Sequence, residues 1–373
     1  MKVLVFSDMH FLSAPSEMPE YGPNRLNYQL KACEWLAEMV KTHDPDCVVN
    51  LGDSNCTHAA VTMHALQAFG LGMDMILSAC AKTGAPFFIV AGNHDQADKN
   101  GEVSFLGGMA PCRAPIRLVM SRPVVFGEHT VGMIPYTHDP QLFAERLKTV
   151  SRCQYVLIHQ DIRGAVWAPG RPATIGHDLS WLGSQVPGQV IGGHYHHPQR
   201  FKDKRFAVVG SPFYASWSDH MMQRPRGALL ITDGKYQWLR NPYTPLRHTL
   251  RVKSWDDVLG WISSAQGKSA PWFDPAKDLP DLMLRLIAPS AEVLEQTEAE
   301  LQSLGLKVRK LLGRVHEQHF EIRVAPALAL DEPASAVRAM AGAVGATAPE
   351  VAEVAAAGEL EQLGLQALHG EEK

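Results

Sequence analysis

Five short polar blocks, each closing an apolar run, constrain this chain more than any other feature. Asp8-Met9-His10 follows Lys2–Phe6, Gly52-Asp53 follows 47–51, and Gly92-Asn93-His94-Asp95 follows 86–90. His159 ends the run 155–158, and Gly193-His194-Tyr195-His196 follows 189–191. Apolar runs of this length read as buried strands. Helical patterns separate the first three, as with Leu26, Leu30, Cys33, Leu36 and Met39 at spacings of three and four. Strands alternating with helices assemble into a sheet covered by helices, and the loops beyond the carboxyl ends of its strands gather on one rim. Blocks spread from residue 8 to residue 196 are thereby predicted to converge.

From about Ile116 short strand-like runs dominate, at 124–126, 130–134, 155–158, 189–191, 206–209 and 228–231, punctuated by Gly and Pro. Asp233-Gly234 between two such runs signals a hairpin. The two halves predict an α/β fold, a sandwich of two sheets flanked by helices. Asn241-Pro242 and Thr244-Pro245 mark a boundary. Beyond it a small α+β unit is expected. Ser254 with Asp257 resembles a capping box, Leu282, Leu284 and Leu286 alternate along a strand, and Ser290 caps a helix carrying Val293, Leu294, Thr297 and Leu301. Phe320, Ile322 and Val324 alternate along a further strand. Pro333 and Pro349 each open a short helix in an Ala-rich tail. Helices this short are marginal alone, so they dock on the body, dock on a partner or fray. The expected division is 1–245, 246–325 and 326–373.

Composition excludes several classes. Hydrophobic residues at 46% and charged residues at 20% describe a globular chain, and no apolar run approaches the roughly 20 residues that span a bilayer. The N-terminus lacks the features of a signal peptide, which points to the cytoplasm. Six scattered cysteines without a CxxC pair read as reduced thiols, not as a zinc site. A net charge of −4 argues against a uniformly basic nucleic-acid surface, though not against a local basic groove. The 17 histidines stand out, histidine being the commonest metal ligand.

Taken singly the blocks are weak signals. Asp-x-His and Gly-Asp are more often turns, and a histidine after an apolar strand is more often a satisfied core residue. Gly193-His194-Tyr195-His196 is the best of them, because imidazoles two residues apart lie on one side of an extended segment. All five in order, each behind a strand, make the structural explanation improbable.

Motif by motif, these residues resemble the calcineurin-like metallophosphoesterase superfamily. The resemblance implies two divalent metal ions, one held by Asp8, His10, Asp53 and His196, the other by Asp53, Asn93, His159 and His194, with Asp53 bridging. Mixed imidazole and oxygen ligands suit Mn, Fe, Zn or Co better than Mg or Ca. Two such ions against the carboxylates of Asp8 and Asp53 leave an excess of about two positive charges, which attracts phosphate. His94 would protonate the leaving alkoxide. Asp95 either orients His94 or caps a helix.

Gly210-Ser211-Pro212, Trp217-Ser218-Asp219, Arg226-Gly227 and Arg240-Asn241-Pro242-Tyr243 resemble the SbcD-type DNA nuclease subunits and their phage recombination endonuclease counterparts. That narrower resemblance implies an exo- and endonuclease of recombination and repair, using Mn2+, able to form a homodimer and working with an SbcC-like coiled-coil ATPase. The tail would grip that ATPase, unless it packs on its own domain. Many relatives carry a further acidic or histidine residue after Gly52-Asp53; here either His58 substitutes or nothing does. The long loop 161–183 holds Arg163, Trp167, Arg171 and Trp181, and Arg200, Lys202, Lys204 and Arg205 follow. These residues either contact DNA phosphates, with Trp167 stacking on a base, or form a solvated charged loop. His197 reads as structural or exposed. A stand-alone metallophosphodiesterase or phosphatase acting on nucleotides or phosphoproteins shares all five blocks but does not need the cap, the closing segment or the tail. A non-catalytic scaffold would have lost a ligand or His94, and none is lost.

Overall fold

The computed structural model describes residues 1–11, 26–56, 61–97, 103–107, 116–128, 130–168, 171–203, 205–214, 226–244, 247–251, 254, 256–257, 283–288, 290, 292–293, 295–297, 299 and 312–315. The elements run β1 (Lys2–Phe6), α1 (Leu26–His43), β2 (Cys47–Asn50), α2 (Met63–Thr83), β3 (Phe87–Val90), β4 (Ile116–Val119), β5 (Val124–Phe126), β6 (Val131–Ile134), α3 (Pro140–Val150) and β7 (Tyr155–Ile158). They continue with β8 (Val166–Ala168), β9 (Arg171–Pro172), α4 (Leu179–Gln185), β10 (Gln189–Gly192), β11 (Gln199–Arg200), β12 (Phe206–Val208), β13 (Gly227–Thr232), β14 (Lys235–Arg240), β15 (Arg247–Arg251), β16 (Met283–Ala288) and β17 (Leu312–Val315).

Two mixed six-stranded sheets form the body, ordered β14-β13-β1-β2-β3-β4 and β11-β12-β10-β7-β6-β5. Strands β1 to β4 are parallel to one another, as are β6, β7, β10 and β12; antiparallel strands close three of the four edges and the parallel β4 forms the fourth. Alternation along β1 shows how the layers form. Val3 and Val5 face the second sheet, joining Val49, Leu51, Phe88, Leu157 and Ile191. Leu4 and Phe6 face outward onto α1 and α2. A strand covered on both faces has no polar side, which is why these runs read as continuous apolar stretches. Each side chain so buried contributes about 1.5–3 kcal/mol. Helices α3 and α4 cover the outer face of the second sheet through Phe143, Leu147 and Leu182.

Local signals account for the helix ends. The Thr62 side chain accepts from Ala65 N–H at 3.1 Å to start α2, and Gly84, at φ +77°, ends it. Asp139 caps α3 ahead of Pro140. Asp233 and Gly234 both have positive φ, 46° and 81°, as a two-residue turn of this hand requires. The expected α/β sandwich is therefore the observed one.

The site is positioned by register. Phe6 is level with Asn50, Asn50 with Ile89, and Ile158 with Gly192. The ends of β1, β2 and β3 thus stand side by side, as do those of β7 and β10. The chain divides into two compact units, Met1–Gly313 and Arg314–Lys373. C-terminal to Thr244, β15 and β16 run parallel to each other. Ser254 N–H donates to Asp257 and Val293 N–H to Ser290, the two caps expected there. The strand expected at 320–324, the tail 326–373, Leu282, Leu294, Leu301, Trp217-Ser218-Asp219, His58 and Lys204 lie outside the described residues. No helix among the described residues is long and apolar enough to cross a membrane.

Candidate metal centre

Backbone bonds between loops bring the blocks together. Asp8 N–H donates to Gly52 O, His10 N–H to Asp53 O and Phe11 N–H to Ser54 O, each at 2.9 Å. The two sheets are tied at the same level by Tyr136 N–H to Ala91 O at 2.9 Å. Close approach demands glycine at two of the motif positions. A Cβ on Gly92 would enter the space of the Asp53 amide and carboxylate, and one on Gly52 that of the His159 ring. Among the described residues seven non-glycine residues have positive φ, and four of them are Asp8, His10, Asp53 and His194. Each such residue costs roughly 1–2 kcal/mol. Concentrating that cost on one set of predicted ligands is the mark of a functional site.

Three overlapping groups result: Asp8 with His10 and His196; His10 with Asp53 and His94; Asp53 with His159 and His194. Asp53 Oδ2 lies 3.6 Å from His10 Nε2, while Asp53 Oδ1 lies 3.3 Å from His159 Nε2. One carboxylate oxygen thus faces each half of the centre. His10 Nε2 is 3.8 Å from Asp8 Oδ1 and 3.0 Å from His196 Nε2. Asn93 Oδ1 is 3.2 Å from His159 Nε2 and 2.9 Å from His194 Nδ1. All seven predicted ligands meet here.

The donor set fits two cations. A carbonyl can only accept, so His159 Nδ1–H is committed to Leu51 O at 2.7 Å and His10 Nδ1–H to Asn55 O at 3.1 Å. The Nε2 atoms therefore turn inward, toward oxygens that are themselves acceptors. Asp8 is fully buried, and neither of its oxygens accepts a hydrogen bond of normal geometry among the described residues. Burial raises the pKa of its carboxyl. Acceptors aimed at acceptors around a buried carboxylate are reconciled by a bound cation. Without one, a proton must serve. Burial works to lower the His159 imidazole, but the Asp53 carboxylate, with Asp8 behind it, outweighs burial and pushes it up to about 9. Burial likewise works to raise Asp53, but His159 and His10 hold its carboxyl well below the usual range.

His94 lies beside this centre, its ring in edge contact with His10 at 4.8 Å between centroids. Its Nδ1–H donates to Cys56 O at 2.7 Å, and its backbone N–H to Asp53 Oδ1 at 2.9 Å. Asp95 closes a one-turn 3₁₀ helix, Asn93–Asp95, and its two oxygens accept from Asn55 N–H and Gly92 N–H, both at 2.9 Å. It staples the second loop to the third. Burial, reinforced by Asp53, pushes its carboxyl up to about 7.

The structure adds residues that the sequence reasoning missed. Asp161 Oδ1 accepts from His194 Nε2 at 3.0 Å and Asp161 Oδ2 from Tyr136 OH at 3.2 Å. Tyr136 stacks on His194. The available signal for Asp161 was its place two residues after His159, on the same side of an extended segment; Tyr136 offered none. Ser211 Oγ donates to Asp8 O and Ser211 N–H to His196 O. Gln29, on α1, donates to Met9 O at 2.8 Å.

The proposed DNA contacts are distributed unevenly. Trp167 reaches the centre, 4.9 Å from His194 between ring centroids. Arg163 is half exposed and 3.5 Å from Asp178 Oδ1, and Arg171 and Lys202 are exposed. Arg200 lies over Trp238 at 4.8 Å and donates to Tyr236 O. Arg205 pairs with Asp203 Oδ2 at 2.7 Å and donates to Gly183 O. These last two are engaged within the fold. His197 is buried and structural, between Trp167 O and Arg226, each at 2.9 Å.

A search of curated proteins finds no match. Among solved structures the chain is similar to a dimetal phosphatase from Danio rerio, with 10% identity, a TM-score of 0.37, and 62% of this chain and 91% of that one covered. It is also similar to the calcineurin-like phosphoesterase YfkN from Bacillus subtilis, with 12% identity, a TM-score of 0.35, and 64% and 88% covered. The model of the calcineurin-like phosphoesterase family matches residues 1–198. That span contains all seven converging ligands and His94, and the chain belongs to the calcineurin-like phosphoesterase family.

Proposed function

We propose that this phosphoesterase hydrolyses phosphodiester bonds in DNA with two Mn2+ ions, as the nuclease subunit of a complex with an SbcC-like coiled-coil ATPase. The observation that carries this reading is the position of the segment in which the sequence resembles SbcD-type subunits. Ser211 of that segment binds the backbone of both the Asp8 and His196 loops. Asn241 holds Pro212 O at 3.0 Å and donates its N–H to Arg226 O at 2.7 Å, and Arg226 reaches His197. The segment that carries the resemblance is thus bonded to the Asp8 and His196 loops, which supports the reading. Under this reading 1–245 would be the nuclease domain, 246–325 a cap, and the tail 326–373 the segment that would bind the partner.

Asp8, His10, Asp53 and His196 would hold one ion, and Asp53, Asn93, His159 and His194 the other. Two bound ions supply Lewis-acid polarisation of the phosphate and an acidified water. The chain's own residues do the rest. Leu51 O and Asn55 O fix the tautomers of His159 and His10, so that Nε2 of each is the ligating atom. Cys56 O holds His94 Nδ1–H, so the proton for the leaving alkoxide would come from Nε2 of the doubly protonated ring, which then returns to its neutral Nδ1–H form.

Incubation of end-labelled duplex DNA and of bis-p-nitrophenyl phosphate, with Mn2+ and with chelator, tests the proposal. Mn2+-dependent breakdown of both is expected. Hydrolysis of the small diester with DNA left intact, even beside a candidate ATPase, would assign the chain to stand-alone phosphodiesterases.

A further inference from the structure

We infer that Trp167 forms a nucleobase subsite, an aromatic platform that receives an unpaired base next to the phosphate being cleaved. This deepens the nuclease reading above and rests on it.

Large aromatic side chains in a protein of this size are ordinarily buried, yet Trp167 is 42% exposed. It sits on β8, in a two-stranded flap with β9. Its indole is 4.3 Å from the ring of Tyr195 and 4.9 Å from that of His194. The platform is therefore one imidazole away from where the phosphate must lie, as a base is one sugar away from its own phosphate.

Side chains hold the flap in place. Gln199 acts as a substitute strand partner, its Oε1 accepting from Val166 N–H at 2.8 Å and its Nε2 donating to Val166 O at 3.0 Å. His197 Nε2 donates to the carbonyl of Trp167 itself. Tyr195, fully buried, clamps the flap base by accepting from Ile162 N–H and donating to Ile162 O. Three side chains on the metal-bearing segment or just beyond it thus fix a residue that stays partly exposed to solvent. Packing alone does not call for this: Tyr195 is covered, and His194 is already oriented by Asp161. An aromatic side chain held in place but left partly exposed suits a planar ligand that can stack on it. The ligand that arrives with a phosphodiester is a nucleobase. Stacking against an aromatic side chain is tolerant of base identity. In duplex DNA the base faces are already covered by their neighbours, so the subsite selects unpaired strands.

The test uses the full chain loaded with Mn2+ and two single strands of equal length, an oligothymidylate and an oligomer of abasic residues with the same backbone. KM is measured for the wild type, Trp167→Phe and Trp167→Leu; leucine keeps apolar bulk against Tyr195 but has no π face. The expected wild-type KM is about tenfold lower for the thymidylate, the size of one stacked base. Trp167→Phe should keep most of that ratio and Trp167→Leu should bring it to one, with metal content unchanged in both. A wild-type ratio of one, or a ratio intact in Trp167→Leu, overturns the subsite while leaving the nuclease reading in place. Loss of metal from Trp167→Leu with its ratio intact would make Trp167 a support for His194 instead. Cleavage of neither strand, with bis-p-nitrophenyl phosphate still hydrolysed, removes the nuclease reading and the subsite with it.

Discussion

Asp161 and His194 are joined by a hydrogen bond, Oδ1 to Nε2 at 3.0 Å, which leaves His194 Nδ1 facing Asn93 Oδ1 at 2.9 Å. A carboxylate that fixes the tautomer of a ligating histidine typically accounts for 10–100-fold in metal affinity. Asp161→Asn is expected to weaken the ion held by Asn93, His159 and His194 by about that factor and to spare the other. Calorimetric titration of Mn2+ into stripped protein separates the two classes of site; equal weakening of both would contradict the assignment.

The division of labour within the Asp53 carboxylate makes a second prediction. With Oδ2 near His10 and Oδ1 near His159, Asp53→Ala should lose both ions, whereas Asp8→Ala should lose one. Metal content per chain after gel filtration reads this directly.

His94 touches the centre without belonging to either predicted ligand set. His94→Ala should retain both ions, because the backbone N–H that binds Asp53 is kept. Its kcat on a phosphodiester should fall by about 10²–10⁴, the usual size of a general-acid contribution. Substrates with leaving groups of low pKa should be affected least, since they depart without a proton.

Two glycines should respond in opposite ways. Gly92→Ala places a methyl group against the Asp53 amide and carboxylate, so metal is lost and Tm drops. Gly70→Ala, in the interior of α2 with nothing within 4 Å of the added carbon, should raise stability by about 0.5–1 kcal/mol. Thermal scans of the two variants, with metal analysis of the first, check both signs.

Stripped of metal, the protein should lose stability as pH rises. The His159 imidazole is raised to about 9 in the folded state. A raised group stabilises fully below its unfolded pKa of about 6.5 and loses that contribution as pH climbs through the folded value. The loss amounts to about 3 kcal/mol. Asp95, raised to about 7, acts in the same direction at lower pH. Bound ions take the place of the His159 proton, so the gap in Tm between Mn2+-loaded and chelator-treated protein should widen from pH 6.5 to 9. A constant gap would show that His159 does not change its proton load on binding metal.

Much of the fold was legible because burial on both faces writes itself into the strands. Phe6, Asn50, Val90, Ile158 and Gly192 end strands within one residue of the ends of the apolar runs, and the polar blocks follow at once. The meeting of the five polar blocks was legible for the same reason: loops beyond parallel strand ends have one rim on which to meet. Asp95 was only half legible. A carboxylate after Gly92-Asn93-His94 could turn either way, and its role as a staple to Asn55 depends on a residue 40 positions earlier. The strand β15 was not foreseen at all, since Arg247–Arg251 carries arginines and a histidine where an apolar signal was sought.

What the sequence determined by itself is the set of strands, the helices between them and the residue types placed at each strand end, because these follow from local periodicity and from side-chain chemistry. Only the tertiary structure decided which atom of each residue faces the centre. The orientation of His194 depends on Asp161, that of His159 on Leu51 O and that of His94 on Cys56 O. Those partners are distant in the chain or are backbone carbonyls, which every residue carries and no sequence pattern distinguishes.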